Sequence, residues 1–242
     1  MGVHVGTSGW SYSHWEHVLY PPGTPPASRL QIYARRFSTA ELNASFYRWP
    51  SDRSFANWRS RLPDGFELSV KAARGLSHGR RLYSPEIWVE RIAACWSKLG
   101  NRRGVLLVQL APGQVRDDAR LDYFLAQVPA WVRVAMEFRH PSWHHEGVFD
   151  ILRRHQAAYC VMSGARLPCI LRATAPFVYV RLHGPDPEHL YRGSYSDHDL
   201  HWWAQRIREW ERTGHDVYAY FNNDGHGHAV RNAETLGALL AR

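Results

Sequence analysis

The stretch FVYVRLH, residues 177–183, carries the pattern on which the fold of the chain depends. Every second residue from Val178 to Leu182 is aliphatic, and side chains alternate between the two faces of a β-strand. The aliphatic face suits contact with helices, whereas the other face carries Arg181 and His183. Charged groups are seldom buried without partners. The stretch therefore predicts a strand with helices on one side and a polar interior on the other.

Seven further runs of this kind occur along the chain, and helical segments separate most of them. The eight predicted strands are Val3–Thr7, Thr39–Asn43, Phe66–Ala72, Val105–Leu110, Val132–Phe138, Ala157–Met162, Phe177–His183 and Val217–Asn222. The predicted helices include Ala27–Phe37, a helix capped by Ser51, Pro85–Leu99, Asp197–Arg212 and His228–Leu240, whereas Ser163–Thr174 looks irregular. Eight β-units with α-crossovers imply a parallel sheet that closes on itself. No Gly-x-Gly-x-x-Gly follows the first strand, which weighs against an open doubly wound sheet. We predict a single (β/α)8 TIM barrel over residues 1–242.

Composition limits the classes of protein to consider. Apolar residues make up 45% of the chain, and no apolar run is long enough to span a membrane. The first residues show neither a basic nor an apolar signal-peptide region, so we expect no signal peptide. The three cysteines are scattered without metal spacing, which fits a reducing compartment. We therefore predict a cytoplasmic protein with no membrane partner. The net charge of +8 suits nucleic acid or another polyanion, or it is simply basic composition. The oligomeric state is not indicated.

Polar residues occupy the predicted inward face of six strands. They are Glu41, Asn43, Ser69, Lys71, Gln109, Glu137, Arg139, Arg181, His183, Tyr220 and Asn222. All of them fall in the C-terminal half of a strand, whereas the N-terminal ends look plainer. In this fold the carboxyl ends of the strands supply catalytic and binding groups. We predict a functional site at that end. The alternative is an ion-pair network that only holds the top of the barrel together.

The predicted site has more cations than carboxylates. Lys71, Arg139 and Arg181 stand against Glu41 and Glu137, so an anion is favoured over a bare divalent metal. We predict neither a metal nor another cofactor. After the eighth strand, Asn222, Asn223 and Asp224 open a loop that contains Gly225 and Gly227 and leads into a helix. This loop is either a phosphate cradle or a glycine-rich turn with a helix cap. His226, His228 and Asp224 are a weaker candidate for a metal cluster.

Aromatic residues are frequent in the loops after strands one, two and five, and Trp10, Tyr12 and Tyr47 are candidates for stacking on a ligand. For most of these aromatic residues, packing among the loops is the simpler explanation. Lys71 is unusual because this chain contains only one other lysine, Lys98, among thirty cationic residues.

Six motifs together resemble the YecE-like family, known as domain of unknown function 72. They are GTSGWSY at 6–12, ELNASFY at 41–47, FELSVK at 66–71, EFRHPSW at 137–143, YVRLHG at 179–184 and YFNN at 220–223. The resemblance implies a TIM barrel and no established activity. The fold it implies is similar to that of TIM-barrel endonucleases and sugar isomerases that use metals. Lys71, Arg139 and Arg181 among the carboxylates depart from such metal sites.

Three classes of function fit these residues. The first is a site for a phosphate-bearing ligand, either a nucleotide or nucleic acid, with phosphoester hydrolysis as its reaction. There, Glu41 or Glu137 would be the base, Lys71 with Arg139 and Arg181 the clamp, and His183 the acid. The second is carbohydrate chemistry with Glu41 and Glu137 as paired carboxylates. The third is a ligand- or nucleic-acid-binding module without turnover.

Overall fold

Eight parallel strands make one sheet in the computed structural model, which describes residues 2–241. The strands are β1 (Val3–Thr7), β2 (Thr39–Leu42), β3 (Glu67–Lys71), β4 (Arg103–Gln109), β5 (Val134–Glu137), β6 (Ala158–Ser163), β7 (Phe177–Leu182) and β8 (Asp216–Phe221). The helices are α1 (Pro26–Tyr33), α2 (Asp52–Arg61), α3 (Glu86–Ser97), α4 (Asp118–Gln127), α5 (Glu146–Arg154), α6 (Asp197–Arg212) and α7 (His228–Leu240). Each predicted strand overlaps an observed one, and the predicted TIM barrel is confirmed.

The sheet is continuous from β1 through β8, β7 and onward to β2, and its two ends then meet. The backbone N–H of Gly9 donates to the carbonyl oxygen of Glu41 at 2.7 Å, and Ser8 forms a bridge with Glu41. Gly9 has a φ of 88°, a conformation that glycine adopts without steric cost. The chain can therefore turn away immediately after the contact that closes the barrel.

Two apolar layers lie on the two faces of the sheet. The aliphatic residues of β7, such as Val178 and Val180, pack in the large outer core against the helices. The alternate residues Phe177 and Tyr179 belong to a separate inner cluster with residues from β4, β5, β6 and β8. This separation confirms the strand facing predicted from the alternation.

Local signals explain where the helices begin and where one crossover lacks a helix. The Ser51 hydroxyl accepts a hydrogen bond from the N–H of Ser54, so the predicted cap of α2 is confirmed. No helix forms between β6 and β7, as the irregular sequence there predicts. The Thr174 hydroxyl holds that connection against β6. It accepts a hydrogen bond from the N–H of Tyr159 and donates one to the carbonyl oxygen of Ala157. Within residues 2–241, no helix is long and apolar enough to cross a membrane.

Candidate functional site

An open cavity of about 620 Å³ lies at the carboxyl ends of the strands. Its walls are formed by Tyr12, Asn43, Phe46, Tyr47, Lys71, Arg74, His78, Gln109, Pro112, Arg139, Leu190, Tyr191, Asn222 and Asp224. These residues come from strand ends and from the loops that follow β1, β2, β3, β4, β5, β7 and β8. The parallel arrangement explains the gathering, because every strand of such a barrel ends on the same side.

Eight residues predicted for the site line this cavity. They are Tyr12, Asn43, Tyr47, Lys71, Gln109, Arg139, Asn222 and Asp224. The side-chain oxygen of Asn43 is buried and accepts no hydrogen bond from any described residue. A buried acceptor without a donor is costly, so Asn43 marks a place where a ligand could supply one.

Four further predicted residues form a buried layer beneath the cavity. Glu41, Glu137, Arg181 and His183 have no exposed surface. The Arg181 guanidinium donates to Glu41 through Nε at 3.0 Å and Nη2 at 2.8 Å, and to Glu137 through Nη1 at 2.7 Å. Glu41 also accepts hydrogen bonds from Ser8 and Tyr179. Of the five charged residues predicted for the site, Lys71 and Arg139 line the cavity. Glu41, Glu137 and Arg181 lie beneath it, where Arg181 joins the two carboxylates.

Glu137 is the carboxylate in this layer that pairs with two arginines. It accepts hydrogen bonds from Gln109, Arg139 and Arg181. Burial alone would raise the pKa of Glu137, but the guanidinium groups of Arg181 and Arg139 outweigh burial and hold that pKa well below its usual value. Glu137 is therefore a permanently charged anchor for the two arginines, which makes it a weak proton acceptor.

His183 is buried between the side chains of Arg139 and Asn222. Its Nε2 lies 3.3 Å from Nη2 of Arg139, and its Nδ1 lies 3.2 Å from the side-chain nitrogen of Asn222. Burial and the nearby charge of Arg181 lower the pKa of His183 well below its usual value. The imidazole is consequently neutral at physiological pH and cannot serve there as a protonated acid.

Lys71 differs from the buried layer because its ammonium group faces the cavity. The side chain is 6% exposed, and Nζ lies 4.3 Å from the ring centroid of Phe46. No carboxylate of residues 2–241 lies within ion-pairing distance of it. Burial and the charge of Arg181 lower the pKa of Lys71 to about 8. A lysine with this pKa still carries charge at neutral pH but releases its proton readily.

The loop after β3 adds two cavity residues that were not predicted from the sequence. Arg74 immediately precedes a π-helical turn over Gly75–Gly79, and His78 lies within that turn. Burial, followed by the charges of Lys71 and Arg74, lowers the pKa of His78. π-Helical turns often accompany functional sites, but a turn of this kind has no simple sequence signature. The one sequence signal for Arg74 was its position three residues after Lys71, just beyond the carboxyl end of the same strand.

Three predicted ligand-binding residues lie outside the cavity wall. Trp10 is buried against Trp58, with ring centroids 6.0 Å apart. Tyr220 lies inside the barrel, where its hydroxyl bonds with the hydroxyls of Thr39 and Ser69. The side-chain amide of Asn223 donates to the carbonyl of Gly193 and to Asn232.

The glycine-rich turn after β8 also packs away from the cavity. A Cβ on Gly227 would approach Val18 to 2.8 Å, and the N–H of Gly227 donates to the carbonyl of Asp224. Among the described residues of this turn, Asn222 and Asp224 reach the cavity wall. Residues 2–241 contain no group of three or more His, Cys, Asp or Glu side chains that could hold a metal ion.

The opposite end of the barrel is less plain than its sequence suggests. Arg133 donates to Glu67 and to the hydroxyl of Tyr218, and His4 stacks on Tyr218 at 4.7 Å. Arg133 and Glu67 therefore form an ion pair, and the ring of Tyr218 packs beside it. They show that polar side chains inside this barrel are not confined to the carboxyl ends.

Comparison with known proteins places the chain among related barrels. The family model described as "Protein of unknown function DUF72" matches residues 4–242. The UPF0759 protein YunF of Bacillus subtilis is 25% identical and is aligned over 98% of this chain and 94% of its own length. The crystal structure of a DUF72 family protein from Thermotoga maritima is 27% identical, with a TM-score of 0.88 and complete coverage of both chains. A DUF72 family protein from Enterococcus faecalis has the same fold, with 18% identity, a TM-score of 0.84 and coverage of 99% and 96%.

Proposed function

Since this chain belongs to the DUF72 family, whose description names no activity, we propose from the site itself that the protein binds a phosphate-bearing ligand at the mouth of the barrel. The observation that carries the proposal is the charge of the cavity wall. Lys71, Arg74 and Arg139 are three cationic lining residues, and Asp224 is the one carboxylate among the described residues that line it. The carboxylates beneath them are already engaged with Arg181. The excess positive charge is therefore available to an anion.

The geometry of the cationic residues suits a phosphate group. Arg139 is held from below by Glu137, so its guanidinium is ordered before a ligand binds. Arg74 is exposed and forms no ion pair with the described residues, so its five N–H groups are free to bind an anion. A fixed arginine and a free arginine can hold the oxygens of one phosphate, and Lys71 adds positive charge to the same wall.

The size of the cavity favours a small ligand. Its volume of about 620 Å³ falls within the range typical of small-molecule sites. Tyr47 and Tyr191 stand at the exposed rim, where an aromatic base or sugar face could stack on them. A mononucleotide fits this combination. Nucleic acid would enter through a single nucleotide or a chain end, with its backbone held by the wider basic surface.

We propose phosphoester hydrolysis as the reaction, but with residues other than Glu41 and Glu137 as the base. The burial and ion pairing of Glu41 and Glu137 favour their acting as supports for Arg181 and Arg139. Asp224 and the neutral imidazole of His78 line the cavity and are better placed to activate water. The paired-carboxylate carbohydrate hypothesis has less support, because both glutamates lack exposed surface and share one arginine.

A thermal-shift panel tests the proposal. Phosphate, sulfate, AMP and ribose 5-phosphate should raise the melting temperature, whereas adenosine and ribose at equal concentration should not. Glycerol 3-phosphate tests whether the phosphate alone suffices. If the neutral sugars stabilise the protein and the anions do not, the carbohydrate hypothesis replaces this one.

Two further measurements separate the remaining functions. Affinity for a short single-stranded oligonucleotide should fall steeply as salt rises if nucleic acid is the ligand. Absence of oligonucleotide binding at low salt, with nucleotide binding intact, would restrict the ligand to small molecules. Incubation with p-nitrophenyl phosphate and bis(p-nitrophenyl) phosphate tests hydrolysis, and tight ligand binding without turnover of any ester would identify a binding module.

A further inference from the structure

We propose that the side-chain amine of Lys71 forms an imine with the carbonyl carbon of a small phosphorylated aldehyde or ketone. The inference rests on the proposed function, because the phosphate of this compound would occupy the cationic wall. It narrows the ligand to a compound that also contains a carbonyl group. A nucleotide without a free carbonyl could occupy the cavity but could not react in this way.

The position of Lys71 is the first support. It is the last residue of β3, its side chain lines the cavity, and its Nζ is packed on the ring of Phe46 at 4.3 Å. The nearby carboxylates of Glu41 and Glu137 are occupied by arginines. Lys71 therefore combines a fixed amine with access from the cavity, and no described carboxylate neutralises it directly.

The electrostatic surroundings are the second support. The lowered pKa of Lys71, about 8, leaves roughly a tenth of the amine unprotonated at pH 7, far more than for an ordinary lysine. Desolvation beside other cationic groups is a recognised way to activate a lysine nucleophile. An arginine cannot take this role because it does not lose its proton. A chain that uses arginine at twenty-eight of thirty cationic positions nevertheless has lysine here.

Residues near Lys71 can bind the phosphate and transfer protons. Arg74 and Arg139 lie in the same wall and would hold the phosphate, which leaves Lys71 to meet the carbonyl. His78 packs edge-on against the same Phe46 ring, with centroids 5.0 Å apart, and is largely neutral because its pKa is lowered. The imidazole can accept a proton and return it within the cavity.

The reaction needs no further reactant. The lone pair of the neutral amine attacks the carbonyl carbon, a C–N bond forms, and the oxygen takes a proton to give a carbinolamine. The nitrogen lone pair then expels that oxygen, with a second proton, as water. The product is a protonated imine. Overall, one amine, one carbonyl and one proton give one iminium ion and one water molecule. His78 carries the protons between nitrogen and oxygen.

Reductive trapping on the full chain tests the proposal. The protein is incubated with ribose 5-phosphate or dihydroxyacetone phosphate and sodium cyanoborohydride, which reduces an imine to a stable secondary amine. Peptide mapping then compares Lys71 with Lys98, the exposed lysine at the end of α3. We expect Lys71 to be modified at least about tenfold faster, because far more of its amine is unprotonated. Glycerol 3-phosphate should compete, and ribose without phosphate should react at Lys71 far more slowly.

Two variants complete the experiment. Lys71→Arg should abolish the adduct, and the matched control Lys98→Arg should leave trapping at Lys71 unchanged. Equal modification of Lys71 and Lys98 in the wild-type chain would overturn the imine, whether or not Lys71→Arg folds. If phosphate compounds still stabilise the protein in that case, the proposed function survives. If they do not, the proposed function fails as well.

Discussion

Arg181 and Glu41 form a two-point ion pair inside the barrel, with Nε and Nη2 donating to the two carboxylate oxygens at 3.0 and 2.8 Å. Arg181 lies on β7 and Glu41 on β2, so the pair joins strands that are not neighbours in the sheet. Both side chains are fully buried. The contact therefore ties together opposite parts of the barrel directly below the cavity.

Removal of Arg181 should destabilise the protein severely. Arg181→Met leaves the buried carboxylates of Glu41 and Glu137 without their main partner, and breaking a buried pair in this way costs about 3–5 kcal/mol. Urea unfolding followed by circular dichroism measures the loss. Arg36→Met, which breaks the exposed pair with Glu234, is the control and should cost less than about 1 kcal/mol. Equal losses in the two variants would contradict the importance of the buried pair.

Acidification should destabilise the protein through His183 before it does so through Glu137. The pKa values of His183 and Glu137 are both lowered in the folded state, so the unfolded chain binds more protons. The free energy of unfolding therefore decreases as the pH is lowered. For His183 the loss begins near the unfolded histidine pKa, about 6.5, and for Glu137 near about 4.3. Unfolding free energies between pH 7.5 and 5 should therefore fall less steeply in His183→Gln than in the wild type.

The control for this pH dependence is the exposed His201 on α6. His201→Gln should retain the wild-type slope between pH 7.5 and 5. A slope unchanged in His183→Gln would mean that His183 does not stay neutral in the folded barrel.

Arg74→Ala should weaken anion binding without affecting stability. Arg74 is exposed and lines the cavity, and a hydrogen bond to a charged group is worth about 1.5–3 kcal/mol. We expect the affinity for phosphate, measured by calorimetry, to fall about tenfold or more. Arg80→Ala is the matched control, because Arg80 is exposed on the same loop but does not line the cavity. Similar affinities in the two variants would remove Arg74 from the anion site.

Tyr47→Ala should distinguish a nucleotide from a simpler anion. Tyr47 is 79% exposed at the rim, and stacking of a base on an aromatic ring is worth about 1–3 kcal/mol. The variant should bind AMP more weakly while its affinity for inorganic phosphate stays the same. Tyr83→Ala removes an exposed tyrosine that does not line the cavity, and AMP binding should be unaffected. Parallel losses for AMP and phosphate in Tyr47→Ala would argue against stacking.

The strands and their facing could be predicted from the sequence because they depend on local order. Aliphatic residues at every second position place Val178 against the helices and Arg181 in the interior, whatever the rest of the chain does. Glu41, Lys71 and Glu137 also lie near the carboxyl ends of their strands, which can be read from the sequence. Parallel strands separated by crossovers must end on the same side, so this convergence also follows from sequence order alone.

The depth of each inward side chain was decided only by the tertiary structure. Alternation places Arg181 and Lys71 on equivalent faces, yet Arg181 is buried between two carboxylates and Lys71 faces the cavity. Depth depends on the stagger between strands and on which partners arrive from elsewhere in the barrel. The entry of Arg74 and His78 into the wall likewise depends on the path of a loop. Periodicity along a strand carries no information about distances across the barrel, and therefore only the closed fold separated the supporting layer from the cavity wall.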